Sequence, residues 1–202
     1  MKAIMISIQP QWVSKILNKE KLVEIRKTKP KCELPCKVYI YCTKPKKWWA
    51  FSNWGATSDE LVWKIKDKVK MCNGLEVWDD ECEKLNGKVV AEFTLNKVDT
   101  LERDLNDWLP KNRYDVSNDL LENINLNQEQ LWNYGQGKIL YAWYIDDLKI
   151  YDKPKLLQVF FRPCGDCDKK DTDRCIYEDS YCRAKVIRPP KSYCYVEELE
   201  DE

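Results

Sequence analysis

The chain opens with a pattern of apolar positions that predicts a strand, a helix and a second strand. Lys2–Ile8 is an almost continuous apolar run, which is typical of a buried strand. In Pro10–Asn18 the apolar residues recur at helical spacing and form one face, made of Trp12, Val13, Ile16 and Leu17. Leu22–Lys27 alternates, so that Val23 and Ile25 point to one side and Leu22, Glu24 and Arg26 to the other.

Later segments show strand character again. They are Lys37–Thr43, Gly87–Val98, Lys138–Ile150, Lys155–Phe161 and Lys191–Val196. In Gly87–Val98 the alternation places one set inward, namely Val89, Ala91, Phe93 and Leu95. Val90, Glu92 and Thr94 then share the opposite face.

Two stretches interrupt the strands. Ser58–Met71 has apolar residues at helical spacing after a serine that suits an N-cap, which predicts a helix inside an aromatic-rich insertion over residues 44–86. Residues 100–137 are polar and rich in asparagine, and they predict loops with short helices such as Gln128–Tyr134.

The elements together predict a mainly β fold with α insertions (α+β), built as a small, mostly antiparallel barrel. No βαβ alternation is present, which argues against a parallel sheet. We expect the barrel to occupy residues 1–161. Residues 162–202 would form a cysteine-rich, zinc-binding segment, the last strand and an acidic tail.

Composition narrows the class of protein. A chain of 202 residues with 44% hydrophobic residues fits one globular domain, and no apolar run approaches the roughly 20 residues of a membrane span. The apolar N-terminal run is too short for an export signal and lacks a cleavage site, so we expect a cytoplasmic protein. In a reducing compartment, ten cysteines favour thiols or metal ligands over disulfides. The sequence leaves the oligomeric state open.

Charge and the lack of histidine restrict the chemistry further. The 202 residues contain no histidine, which excludes Ser-His-Asp and Cys-His catalysis. The net charge is zero, yet residues 1–70 hold 16 Lys/Arg against 6 Asp/Glu. A basic first third indicates an anionic partner, for which the acidic tail could compete; mutual neutralisation of the two halves is the alternative.

Four cysteines near the C-terminus have metal-ligand spacing. Cys164 and Cys167 form a Cys-x-x-Cys pair, and Cys175 and Cys182 follow within nineteen residues. Four thiolates complete the tetrahedron of a structural zinc site, with free thiols, a redox pair or an iron–sulfur cluster as alternatives. Cys194 could replace one of the four.

The remaining cysteines are more scattered. Cys42 lies on a predicted strand and fits a core thiol, while a second metal site could be formed by Cys32, Cys36, Cys72 and Cys82.

Lysines and aromatic residues stand close together in the first insertion. Lys46 and Lys47 stand directly before Trp48 and Trp49. Lysines contact phosphates and ring faces stack on bases, so this pattern suits single-stranded nucleic acid. Packing of the tryptophans onto the barrel is the alternative.

Lys21, Glu24 and Arg26 gather three charges at the junction of the first helix and the second strand. A buried lysine can act as nucleophile or base, a carboxylate can relay protons, and an arginine can fix a carbonyl or phosphate. Glu92 is a candidate to approach Glu24 from a neighbouring strand. An exposed ladder of ion pairs is the alternative.

The segment Ile6-Ser7-Ile8-Gln9-Pro10, the helix ending in Ile16-Leu17 and the motif Lys21-x-x-Glu24-x-Arg26 resemble the ASCH family of the PUA-like superfamily. The strand Gly87–Leu95 and three later segments are similar to ASCH proteins of Gram-positive bacteria and their phages: Tyr141-Ala142-Trp143, Leu148–Pro154 and Pro189–Val196.

This resemblance implies a small β-barrel whose cleft binds RNA or a modified nucleotide. Lys21, Glu24 and Glu92 are its tentative catalytic residues. Arg26, with Lys46, Lys47, Trp48 and Trp49, would contact the ligand. Some small members of the family hydrolyse N4-acylated cytidines with a lysine that matches Lys21, and others are ribonucleases.

The chain departs from the family pattern at two positions. Lys19 stands where the motif has glycine, and Glu24 stands where the amidohydrolases have threonine. A carboxylate beside Lys21 favours the charged lysine, which points to binding rather than cleavage. We therefore expect an RNA- or nucleotide-binding domain, with an amidohydrolase or ribonuclease, or a phage-encoded protein-interaction module, as alternatives.

Overall fold

The computed structural model describes residues 2–44, 61–65, 68–71, 82–105, 112–163 and 184–199, and these residues are mainly β with a few helices. The strands are β1 Lys2–Ile8, β2 Val23–Arg26, β3 Cys36–Cys42, β4 Val62–Ile65, β5 Lys68–Met71, β6 Cys82–Lys84, β7 Val89–Leu95, β8 Val98–Leu101, β9 Leu140–Tyr144, β10 Asp146–Lys155 and β11 Tyr193–Glu197. The α-helices are α1 Pro10–Leu17, α2 Asn118–Ile124 and α3 Gln128–Gly135. Within this part of the chain, no helix is long and apolar enough to cross a lipid bilayer.

The strands form three separate sheets and no closed barrel among the described residues. The largest sheet has the order β10-β7-β3-β1-β11, the second β2-β9-β8 and the third β5-β4-β6. β1 and β3 pair in parallel, whereas the other described pairings are antiparallel. The prediction of a barrel is therefore wrong for these residues, because β10 and β11 are the two edge strands of the large sheet and do not pair with each other.

Both faces of the five-stranded sheet are buried. The first face packs against α1 and is formed by alternate residues such as Ile4, Ile6, Val38 and Ile40. The second face carries the residues between them, such as Met5, Tyr39 and Tyr41, and Phe160 packs against it. The residues of β3 thus alternate between the two faces, and its tyrosines lie in a second core.

A register shift in β7 changes the predicted faces. Ile40 pairs with Ala91 but Tyr41 pairs with Val89, which leaves Val90 as the extra residue of a bulge. Val90 therefore joins the first core and Val89 the second. The predicted inward set holds only from Ala91 onward, because a bulge shifts the alternation by one residue.

The helix predicted over Ser58–Met71 is wrong where the structure describes it. Val62–Ile65 and Lys68–Met71 are antiparallel strands, and the first also pairs with Cys82–Lys84. The first pairing is a local hairpin and the second is more distant in sequence, and together they override the helical spacing. Lys155–Phe161 is likewise not a strand, since β10 ends at Lys155 and a 3₁₀ turn covers Leu157–Val159.

The second sheet packs against α2 and α3. Val23, Ile25 and Ala142 of the sheet share a core with Ile124 and Leu131 of the helices. The predicted helix at Gln128–Tyr134 is confirmed as Gln128–Gly135. This packing brings the end of α2 next to the start of β2, where the three charges of the motif lie.

Candidate functional site

The turn between α1 and β2 places the charged motif. Lys19 has a φ of 61° and its amide donates to the carbonyl of Ile16 at 2.9 Å, which ends the helix in the left-handed conformation. Glycine adopts this conformation more readily, so Lys19 meets the requirement of the turn with modest strain. The amide of Lys21 then donates to the carbonyl of Lys15 at 3.2 Å. This hydrogen bond holds the backbone of Lys21 close to α1.

Lys21 is buried at the end of α2. Its Nζ donates to the carbonyl of Ile124 at 2.6 Å and lies 3.7 Å from Glu24 Oε2, and the residue is 2% exposed. Burial lowers the pKa of Lys21, while the neighbouring carboxylate of Glu24 opposes this shift. Glu24 favours the charged lysine, as expected, but desolvation is the larger effect, so the pKa of Lys21 lies below its ordinary value.

Glu24 lies between two cations. Its Oε1 is 3.3 Å from Nε of Arg26, and Arg26 Nη2 donates to the carbonyl of Ser7 at 2.9 Å. Arg26 thereby links the second sheet to β1. Lys21, Glu24 and Arg26 form one buried cluster, as the sequence predicts, and the exposed ladder is excluded by their burial.

Aromatic side chains surround this cluster. The Trp12 ring lies 5.4 Å from Nζ of Lys21, and Trp143 pairs with Glu24 across β2 and β9. Tyr134 is near enough for Arg26 and Glu24 to influence its pKa, which burial raises. Beside this cluster, Trp143 Nε1 is buried without a hydrogen-bond acceptor among the described residues, whereas Arg26 Nε has the ion-pair contact with Glu24. An unpaired indole donor beside the Glu24 carboxylate is a group that an incoming polar ligand could satisfy.

Glu92 does not join the cluster. Its carboxylate accepts a hydrogen bond from the hydroxyl of Tyr151 at 2.6 Å and lies 3.9 Å from Nζ of Lys37 and of Lys149. Tyr151 belongs to the second core, whereas Trp143 beside Glu24 belongs to the first. Glu92 and Glu24 are therefore on opposite sides of the five-stranded sheet.

A basic cleft of about 1540 Å³ opens at the β11 edge of this sheet. Of the described residues that line it, five are cations: Lys2, Lys31, Lys37, Arg162 and Lys191. Two are acids, Glu33 and Glu198, and two are aromatic, Tyr193 and Tyr195. Cations thus outnumber acids in this described lining, which suits an anionic ligand.

The cleft adjoins the buried cluster through Tyr193. The Tyr193 ring is 5.7 Å from the Trp143 ring and 5.9 Å from that of Tyr195. The segment that follows Arg26 runs along the cleft, where the Lys31 amide donates to the Tyr195 hydroxyl at 2.7 Å. One continuous piece of chain therefore supplies both the cluster and a wall of the cleft.

Several predicted site residues lie outside the described residues. These are Lys46, Lys47, Trp48 and Trp49, the four cysteines Cys164, Cys167, Cys175 and Cys182, and Cys72. The zinc site remains a prediction. In the part of the chain that the structure covers, no three His, Cys, Asp or Glu side chains are grouped to hold a metal.

The described cysteines fall in different places. Cys42 is a fully buried core residue, as expected. Sγ of Cys32 lies 3.0 Å from Sγ of Cys36, whereas Cys82 is on β6 of the third sheet. Cys194 lines the basic cleft.

Sequence reasoning missed the cleft. Lys191, Tyr193 and Tyr195 alternate in the predicted strand Lys191–Val196 and could have been noted as a basic-aromatic pattern. Their meeting with Lys31 and Lys37 depends on β11 pairing with β1 and β1 with β3, which no local pattern shows.

The fold and site define a mainly β protein with a buried Lys-Glu-Arg cluster behind a basic cleft. Its structure is similar to the crystal structure of ASCH from Zymomonas mobilis, with a TM-score of 0.49 and 16% identity over 96% of this chain and 87% of that one. Two structures of mutants of that protein give TM-scores of 0.47 and 0.46 at 16% identity, covering 98% and 96% of this chain and 91% and 88% of theirs. These structures carry the name of the family that the Lys21-x-x-Glu24-x-Arg26 motif resembles. No family model matches the chain. No curated protein matches it either.

Proposed function

We propose that this protein binds single-stranded RNA or a modified nucleotide in the basic cleft, with the Lys21-Glu24-Arg26 cluster behind it. The observation that carries the proposal is that the described residues lining the cleft include five cations and two tyrosines against two acids. Lysine and arginine neutralise phosphates, and tyrosine rings offer stacking faces for bases.

The size of the cleft favours an extended ligand. Small-molecule sites typically enclose about 300–1,000 Å³, whereas this cleft holds about 1540 Å³. A short run of nucleotides would fill it better than one nucleoside. Stacking on Tyr193 or Tyr195 would contribute on the order of 1–3 kcal/mol per base.

The buried cluster supports recognition of a polar, planar group. Trp143 Nε1 is a buried donor without an acceptor among the described residues, and Glu24, which is already ion-paired with Arg26, supplies a carboxylate on the same side of the sheet. A base edge carries both donors and acceptors, so it could pair with this set. Tyr193, between the cleft and Trp143, would have to move to admit such a group.

The test is fluorescence anisotropy with labelled single-stranded RNA at low salt. Wild type should bind, and the double variant Lys31→Gln/Lys191→Gln should bind several-fold more weakly, since each lysine would neutralise a phosphate. Lys153→Gln is the matched control, because Lys153 is exposed on β10 and is not among the residues lining the cleft. Absence of binding by wild type at low salt would reject the proposal.

Amidohydrolase activity on an N4-acylated cytidine is the second candidate, and the lowered pKa of Lys21 favours it. A neutral amine can attack an acyl carbon or accept a proton from water, and Glu24 at 3.7 Å could exchange protons with it. The expected relay through Glu92 receives no support, since Glu92 is on the other side of the sheet.

Incubation of wild type and Lys21→Met with N4-acetylcytidine tests this second candidate. Release of acetate by wild type and its loss in a folded Lys21→Met protein would support it. Equal release by both proteins, or none by either, would reject it.

A further inference from the structure

Cys32 and Cys36 bring two thiols together in the wall of the cleft. Their Sγ atoms are 3.0 Å apart, and both residues line the cleft. Cys36 is the first residue of β3 and is buried, whereas Cys32 is partly exposed on the preceding segment. The strand therefore fixes one sulfur, and the segment places the other against it.

This separation fits a dithiol better than a pair of zinc ligands. With zinc–sulfur bonds of about 2.3 Å, two thiolates of a tetrahedral site lie about 3.8 Å apart. A disulfide needs about 2.05 Å, so closure of this pair requires a movement of about 1 Å. Within the described part of the chain no third metal-binding side chain joins the two sulfurs.

We infer that Cys32 and Cys36 are a thiol–disulfide exchange site that closes to an intramolecular disulfide by reaction with a small disulfide such as oxidised glutathione. The Cys32 thiolate attacks one sulfur of the small disulfide, forms a mixed disulfide and releases the first small thiolate. The Cys36 thiolate then attacks Sγ of Cys32 and displaces the second. The two cysteine protons end on the two released thiols, so the protein loses two hydrogens and the small disulfide gains them.

The positions of the two sulfurs set the order of these steps. Cys32 can meet a reagent in the cleft because it is partly exposed, whereas Cys36 is only 8% exposed. Burial and the contact with Cys32 raise the pKa of the Cys36 thiol. Cys36 is therefore a poor first nucleophile. Once Cys32 carries the mixed disulfide, however, Sγ of Cys32 is within reach of the Cys36 thiolate.

The site does not depend on RNA binding. The disulfide would close a five-residue loop between Lys31 and Lys37, which both line the cleft. Its first consequence is therefore a change in the cleft wall.

Tryptic mass mapping tests the inference directly. Cleavage after Lys31 and Lys37 gives one peptide, Cys32–Lys37, that contains both sulfurs. The folded full-length protein is equilibrated with glutathione buffers of increasing oxidised fraction, quenched in acid, alkylated under denaturing conditions and digested. We expect this peptide to lose two hydrogens and both alkylation sites, and dithiothreitol to restore them.

Two comparisons show whether the fold creates the site. In urea, the ratio of oxidised to reduced glutathione at the midpoint of the same titration should be higher by about tenfold or more. The reason is that the unfolded chain does not hold the two sulfurs together. In Cys32→Ser, Cys36 should stay alkylatable, while Cys82→Ser should leave the disulfide unchanged.

Three outcomes would overturn the inference. They are an equal midpoint in buffer and urea, a stable glutathione adduct on Cys32 with Cys36 still alkylatable, and a disulfide joining Cys32 or Cys36 to a different cysteine.

Discussion

Glu24 compensates two buried cations with one carboxylate. The side chains of Lys21 and Arg26 are 2% and 8% exposed, and each lies within 3.7 Å of a Glu24 oxygen. Burying a charge is unfavourable unless it is paired and hydrogen-bonded. Ile124 and Ser7 supply the carbonyls that complete the pairing. The stability of this region therefore depends on Glu24 more than on either cation.

Glu24→Gln should destabilise the protein by about 3–5 kcal/mol, since it leaves two buried cations without a counter-charge. The free energy of unfolding from urea denaturation is the measurement. Glu83→Gln is the control, because Glu83 pairs with Lys88 at 2.8 Å but its side chain is 35% exposed. Its removal should change stability by less than about 1 kcal/mol. Equal effects of both substitutions would contradict the account of the cluster.

Cys42 should make the protein lose stability in alkali. Burial raises its pKa from 9.0 to about 12. The folded state therefore keeps this proton between about pH 9 and 12, where the unfolded state has lost it, so the free energy of unfolding falls as pH rises. The contribution reaches roughly 1.4 kcal/mol per pH unit.

Cys42→Ala removes this titration while deleting one buried sulfur. We expect the difference in unfolding free energy between wild type and variant to narrow as pH rises from 9 to 12, measured by urea denaturation at each pH. A difference that stays constant over this range would show that Cys42 does not titrate as proposed.

At the scale of elements, α3 ends on a glycine for a packing reason. A Cβ on Gly135 would overlap the hydroxyl of Tyr114, which is fully buried and donates to the carbonyl of Lys138 at 2.7 Å. Gly135→Ala should destabilise the protein by about 1–3 kcal/mol in thermal or urea denaturation, although alanine is the better helix former. Unchanged or increased stability would contradict this packing.

The residue that follows β11 contributes negative charge to the cleft. Glu198 lines the cleft, and its carboxylate is 3.8 Å from Nζ of Lys37. If RNA binds there, Glu198→Gln should tighten binding by a few-fold in anisotropy titrations, because it removes repulsion of phosphates. Glu122→Gln on exposed α2 surface is the control. Weaker binding by Glu198→Gln would indicate that the anion lies elsewhere.

Strands and helices with strong local patterns could be predicted, and those fixed by distant partners could not. Lys2–Ile8 and Pro10–Leu17 follow from continuous apolar burial and helical spacing. The helix predicted over Val62–Ile65 is wrong because the apolar spacing of this segment matches a helix as well as a strand. Its pairing with Cys82–Lys84 resolves the ambiguity. The β7 bulge is likewise a property of the pairing with β3.

At the scale of the whole molecule, site residues that are close in sequence could likewise be predicted, and those brought together by distant pairings could not. Lys21, Glu24 and Arg26 are close in sequence, so their clustering could be predicted. The prediction that Glu92 approaches Glu24 is wrong, because the distance between the two carboxylates depends on how two sheets pack. The cleft requires residues 31–37 and 191–198 to meet across β1, which is a non-local outcome of sheet order.

Salt dependence of RNA binding tests the central claim, that the cleft binds a nucleic-acid backbone, most directly. The logarithm of the association constant should fall linearly with the logarithm of salt concentration, with a slope of about −0.7 for each phosphate neutralised on a single strand. Removal of two contacts in Lys31→Gln/Lys191→Gln should make the slope about 1.4 less negative, while Lys153→Gln leaves it unchanged. A slope equal in wild type and the double variant would contradict the claim.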